Sequence, residues 1–125
     1  MLSDLEIWAV LPASDLGRAR EFYKDKLGLE PTEDRSDGLV YQGNGGSKFF
    51  IYETQFAGTA QNTAMNWATD DLDAEMAELR SRGVQFEEYD FPGLKTENGV
   101  ADNGEGRGAW FKDSEGNILA LSEGM

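Results

Sequence analysis

The chain contains no histidine and no cysteine. Those two absences remove the usual physiological general base, the commonest zinc ligands, every disulfide and all thiolate chemistry. A Ser-His-Asp hydrolase is excluded, since Ser14 and Ser122 have no imidazole to activate them. Stability must come from packing. Basic residues are also scarce, with 11 Lys and Arg against 24 Asp and Glu, a net charge of −13. Nucleic acid and anionic membrane both require a basic surface, so neither is an expected partner. The acids are scattered through both predicted helices and most loops, which describes a solvating surface and attracts cationic rather than anionic ligands. No run approaches the ~20 apolar residues of a membrane span, and the chain opens almost directly in a strand pattern without a charged-then-apolar leader. A soluble, cytoplasmic protein is expected. Two glycine-rich stretches carry no further chemistry. No Lys-Ser/Thr opens a helix after Gly43-Asn44-Gly45-Gly46, and Asp102-Asn103-Gly104-Glu105-Gly106 lacks the alternating acids and distant Glu of a calcium loop.

What the chain does have is one phrase written twice, 56 positions apart: an apolar strand, an acidic cap, an amphipathic helix, then Gly and an aliphatic residue. The first copy runs Ile7-Trp8-Ala9-Val10-Leu11, Ser14-Asp15-Leu16, Leu27-Gly28-Leu29. The second runs Met65-Asn66-Trp67-Ala68, Asp70-Asp71-Leu72, Gly83-Val84. The length of 125 residues suits one domain, with module one at about 1–56, a linker at about 57–62 and module two at about 63–125. In module one, alternation predicts a strand over about 5–12, with Ile7, Ala9, Leu11 and Ala13 on one side and Glu6, Trp8 and Val10 on the other. A helix over about 15–27 follows, stopped by Gly28, and then strands at 39–42 and 48–52 around the 43–46 turn. Module two repeats the order with a strand at about 63–69, a helix from Asp71 to Arg82, a strand at 84–89, a long glycine-rich loop from Pro92 to Gly108, and a hairpin of 109–112 with 118–121. Each module reads as βαβββ, an α+β arrangement. One such unit leaves a sheet face bare, so the two must shelter each other around a pocket or pair with another chain.

The residues Leu11-Pro12-Ala13-Ser14-Asp15-Leu16 with Arg18-Ala19 and Phe22-Tyr23, then Asp70-Asp71-Leu72-Asp73, and Phe111-Lys112-Asp113-Ser114-Glu115-Gly116-Asn117-Ile118-Leu119 together resemble the vicinal oxygen chelate superfamily. That superfamily includes glyoxalase I, extradiol dioxygenases, fosfomycin-resistance enzymes and bleomycin-resistance proteins. The resemblance implies a glyoxalase/bleomycin-resistance-type fold of two tandem βαβββ modules. Metal-dependent members place ligands on the first and last strand of each module, and the matching positions here are Trp8, Phe50, Ala64 and Ala120. None offers a lone pair to a divalent cation, so no metal and no cofactor is expected. A shift of register that brought Glu6, Glu53 or Asn66 inward would restore oxygen donors.

The same alignment sorts the pocket wall. The expected ligand-binding set is Trp8, Tyr41, Lys48, Phe50, Tyr52, Asn66, Trp110 and Ala120, with Phe49, Ile51, Met65, Trp67, Phe111, Leu119 and Leu121 packing beneath the helices. Such a wall suits an aromatic or cationic organic molecule held by stacking and a few hydrogen bonds. The 92–108 loop is expected to act as a lid, with Tyr89, Phe91, Leu94 or Lys95 touching the ligand. The leading expectation is a metal-free, non-catalytic binding protein, a homodimer of bleomycin-resistance type that sequesters a small organic compound. Two alternatives stand beside it: an enzyme of the same superfamily, lyase, isomerase or dioxygenase-like, with a non-standard site, and an interaction module whose core the aromatics fill.

Overall fold

Strand alternation and two capped helices build the same unit twice. In the computed structural model, which describes residues 1–124, the first repeat holds β1 (Trp8–Ala13), α1 (Leu16–Leu27), β2 (Glu33–Arg35), β3 (Gly38–Gln42) and β4 (Lys48–Glu53). The second holds β5 (Thr63–Thr69), α2 (Leu72–Ser81), β6 (Asp90–Phe91), β7 (Leu94–Lys95), β8 (Ala101–Asp102), β9 (Arg107–Lys112) and β10 (Ile118–Glu123). Two four-stranded sheets result, ordered β1-β4-β3-β2 and β5-β10-β9-β8, while β6 and β7 form a ribbon of their own. The first strand of each repeat lies parallel to the last, and the other pairings are antiparallel. Both helices start on an aspartate. The Asp15 side chain accepts from the Arg18 N–H and that of Asp71 from the Ala74 N–H, satisfying donors the helix cannot use itself. Gly28 ends α1 with φ 70°, a left-handed conformation that a side chain would strain.

Both sheets turn their helix-bearing faces toward one shared core. Leu11, Ala13, Phe49 and Ile51 from the first sheet and Phe111, Leu119 and Leu121 from the second are buried in a single cluster. Aromatic rings carry the junction. Tyr41 stacks on Phe49 with centroids 4.8 Å apart, Phe49 meets Trp67 edge-on at 6.2 Å, and Trp67 stacks on Phe111 at 6.4 Å. The opposite faces of the sheets therefore point away from each other, and a single chain does not enclose the pocket expected between its two modules.

The turn of the last hairpin locks the repeats together. The Glu115 carboxylate, with no side-chain exposure, accepts from the Ser14 and Asp15 backbone N–H groups at 2.9 and 3.0 Å and from Arg18 Nε at 2.8 Å. Burial alone would raise its pKa, but Arg18, Ser114 and the Asp15 amide more than offset this and hold it at about 2. Asp113 accepts from the Tyr23 hydroxyl at 2.7 Å and from the Asn117 side chain at 2.9 Å, and Asn117 also donates to the Pro12 carbonyl. These bonds explain why the Phe-x-Asp-x-x-Gly-Asn pattern sits where it does: each polar residue of the turn satisfies buried groups of module one. Gly116 at φ 86° lets the linker pass, since a Cβ there would stand 2.9 Å from the Gly58 Cα.

Several expected elements differ. Ile7 lies before β1 and is 89% exposed, so it does not join Ala9 and Leu11 on the core face. The strand expected at 84–89 touches β9 only through the Phe86–Phe111 bridge and a 2.7 Å bond from the Glu87 N–H to the Trp110 carbonyl. It then leaves the sheet, because Tyr89 and Thr96 bind each other instead: the Thr96 N–H donates to the Tyr89 carbonyl, and the Tyr89 N–H to the Thr96 hydroxyl. The fourth strand of that sheet is β8, inside the segment expected to be a structureless loop. In the first sheet β2 takes the matching edge, although Glu33-Asp34-Arg35 is wholly exposed and shows no apolar alternation.

Candidate functional site

With the core between the sheets, the candidate binding surfaces are the two outer faces. That of the first sheet gathers four of the expected site residues. Lys48 Nζ lies 5.0 Å from the centre of the Trp8 ring, and the Phe50 and Tyr52 rings are parallel within 4° at 6.5 Å. The Trp8 indole N–H donates to Glu6 at 3.2 Å. This face is open, with Val10 57% and Tyr52 38% exposed.

The outer face of the second sheet is walled. Residues 86–106 leave the sheet and return as an arch over Trp110, and two cavities of about 620 and 440 Å³ lie beneath it. Thr63, Leu94 and Trp110 border both, so the indole stands as a partition between them. The ring is held on two sides. Its N–H donates to the Thr63 hydroxyl at 3.1 Å, and Tyr89 meets it edge-on at 5.7 Å. Asn66, Ala120 and Ser122 line the smaller cavity, where the Asn66 amide N–H donates to the Ser122 hydroxyl at 2.9 Å and leaves the amide oxygen as an acceptor. Lys95, Asp102 and Arg107 rim it. The larger cavity adds the 58–63 linker and the Lys112–Glu87 ion pair at 3.5 Å. Burial, followed by the nearby Glu87 charge, raises the Tyr89 phenol pKa and keeps it a neutral donor at physiological pH.

The arch is buttressed from within. Glu88 accepts from the Thr96 hydroxyl and the Gly99 N–H, both at 2.7 Å, and Arg80 on α2 donates to the Asn98 carbonyl at 2.7 Å. Tyr89, Phe91 and Leu94 all line the larger cavity, and Leu94 and Lys95 the smaller, so the residues expected of a lid do border the space.

The eight expected site residues thus divide. Trp8, Lys48, Phe50 and Tyr52 share one outer face, Asn66, Trp110 and Ala120 share the other, and no first-module residue borders either cavity. Tyr41 belongs to neither. Alternation along β3 turns Leu39 and Tyr41 into the core, where the Tyr41 hydroxyl is buried without a hydrogen-bond partner among the described residues and burial pushes its pKa up to about 12. What sequence reasoning missed is Ser122, Arg107 and the 58–63 linker. Of these only Ser122 carried a signal, its even-number phase with Ala120 on β10.

The ladder pairing fixes which positions correspond between repeats. Val10 pairs with Phe50 in the first sheet and Asn66 with Ala120 in the second, which makes Phe50 and Ala120 counterparts, as are Trp8 and Ala64. These positions carry an indole, a phenyl and two methyls. Among the described residues no three Asp or Glu side chains converge as a metal site would need, and Glu6 and Glu53 do not join Asn66. The donor set does not fit a divalent cation.

The comparisons agree with this architecture. The family model described as Glyoxalase/Bleomycin resistance protein/Dioxygenase superfamily matches residues 7–121. A glyoxalase / bleomycin resistance protein from Catenulispora Acidiphila DSM 44928 is 30% identical, with 95% of this chain and 97% of that one covered and a TM-score of 0.66. TnmS3, an antibiotic binding protein from Streptomyces sp. CB03234, is 24% identical over 95% of this chain and 94% of its own, with a TM-score of 0.71. Lactoylglutathione lyase from Agrobacterium tumefaciens shares the fold at 18% identity, with 96% and 93% covered and a TM-score of 0.70. A search among curated proteins finds no match.

Proposed function

The chain belongs to the glyoxalase/bleomycin resistance protein/dioxygenase superfamily, and from that premise we propose that it is a metal-free, non-catalytic binding protein that sequesters a small aromatic organic compound. The observation that carries this reading is Trp110 standing clamped between two cavities on the outer face of the second sheet, with the Asn66 amide as the polar point beside it. A fixed indole offers a flat ligand a stacking surface at little conformational cost, and one amide orients it. The structural likeness to an antibiotic binding protein suits a drug-like ligand, and the acidic surface favours one that carries positive charge.

The positions where metal-dependent relatives hold their cation are Trp8, Phe50, Ala64 and Ala120, which supports binding without a metal or other cofactor. The bare first-module face, with Trp8, Val10, Phe50 and Tyr52, is the second part of the proposal. As a homodimer the protein would lay this face of one copy opposite the walled face of the other, completing two sites per pair. One domain per chain and a cytoplasmic location complete the proposal. No described helix is long and apolar enough to cross a membrane.

The test is a panel of planar aromatic compounds, screened by thermal shift with and without EDTA and paired with native mass spectrometry. Binding of a compound at a hundredfold excess over Kd adds about 2.7 kcal/mol to stability. A chelator-independent shift on a dimer is the expected result. Turnover of a methylglyoxal–glutathione adduct, a catechol or fosfomycin, restored by added metal, would overturn it in favour of an enzyme. No shift with any compound would leave the filled-core interaction module.

A further inference from the structure

We propose that the cleft between the two helices, on the core side of the second sheet, is a second small-molecule site for a compact organic cation with one aromatic ring and a short chain. Leu27 and Leu29 at the end of α1 face Leu79 on α2 across a gap of about 260 Å³, whose floor is the stacked pair Trp67 and Phe111. A close-packed interior rarely leaves voids larger than a water molecule, so a gap of this size lined by leucines and two aromatic rings is unusual space. It lies on the face of the sheet opposite to Trp110 and is independent of the binding reading above.

Size and charge narrow the occupant. The volume falls below the roughly 300–1,000 Å³ of drug-sized sites, which excludes polycyclic compounds and admits a single ring with a short arm. Glu75 is the only charged residue on the lining, and its carboxylate forms no ion pair among the described residues. The nearby Arg82 is held by Glu78 at 3.0 Å. An ammonium group placed at Glu75 with its ring against Trp67 would meet a carboxylate and an aromatic face together, inside a chain of net charge −13.

The experiment titrates 2-phenylethylamine into the ¹⁵N-labelled full chain and follows amide and indole resonances. Saturable shifts centred on Leu27, Leu29, Leu79 and the Trp67 indole are expected, with phenylacetate, the anionic counterpart, producing none. Glu75→Gln should weaken the amine about tenfold, the loss of one partly desolvated charge contact. Glu75 is exposed on its helix, so this variant keeps the fold. Leu79→Trp, which fills the gap, should abolish the shifts, with Glu75→Gln carrying the test if that variant fails to fold. The proposal is overturned if no saturable shift appears by ~10 mM amine, if the shifts centre on Trp110, or if Glu75→Gln binds as the parent does.

Discussion

The turns that close the last hairpin of each module occupy equivalent places in the repeat and behave oppositely. Gly43 to Ser47 is wholly exposed, whereas Asp113, Glu115 and Asn117 are buried and bonded to α1, β1 and the residues before α1. The N-terminus of α2 is held from inside its own module instead, through Glu123, which accepts from the Leu72 N–H at 2.8 Å. Duplication therefore did not produce two equal halves. Module two clamps module one, and it also carries the arch that gives its outer face depth, while module one offers a bare aromatic face. Polar side chains in one tight turn do the joining, and an excursion of chain between a helix and an edge strand builds the cavities.

Removing the clamp should have the largest effect. Glu115→Ala strips the Ser14 and Asp15 amides of their acceptor and is expected to cost about 3 kcal/mol, read by urea denaturation. The same carboxylate predicts an acid dependence. Its pKa is about 2 folded against 4.5 for the ordinary group, so its contribution is full above pH 4.5 and is lost as pH falls toward 2. The loss amounts to about 3 kcal/mol, and Glu115→Gln should flatten that part of the pH profile. Next in size is Trp110→Ala, expected to weaken an aromatic ligand by at least about tenfold with little change in stability, by calorimetric titration. Thr96→Val frees the Tyr89 N–H and the Glu88 carboxylate and should cost about 1 kcal/mol, with faster amide exchange over residues 88–100. Asn44→Ala in the exposed turn should change stability by less than about 0.5 kcal/mol. An effect there comparable to Glu115→Ala would erase the asymmetry between the modules.

Much of this architecture was legible because it is periodic or punctuated. Alternation along β1, β4, β5, β9 and β10 sorted core from outer face, Asp15 and Asp71 marked helix starts, and the repeat spacing paired Trp8 with Ala64. Three features were not. Tyr41 sits in a run too apolar to choose a side, and its phase is fixed by the β3–β4 ladder. The 84–89 segment has strand composition but loses its place to a local Tyr89–Thr96 exchange of hydrogen bonds, which no period records. The relative placement of the two sheets follows from the Phe49–Trp67 contact and the Glu115 clamp, both between residues far apart in the chain, and so the shared pocket was expected where the structure has a shared core.

The account rests on the outer face of the second sheet holding an organic ligand on its own side chains. The most direct test is calorimetric titration of the aromatic compound found by native mass spectrometry into the parent chain and Trp110→Ala, each with and without EDTA. The prediction is binding that the chelator leaves untouched and that Trp110→Ala weakens at least about tenfold. Binding abolished by EDTA and indifferent to Trp110 would contradict it.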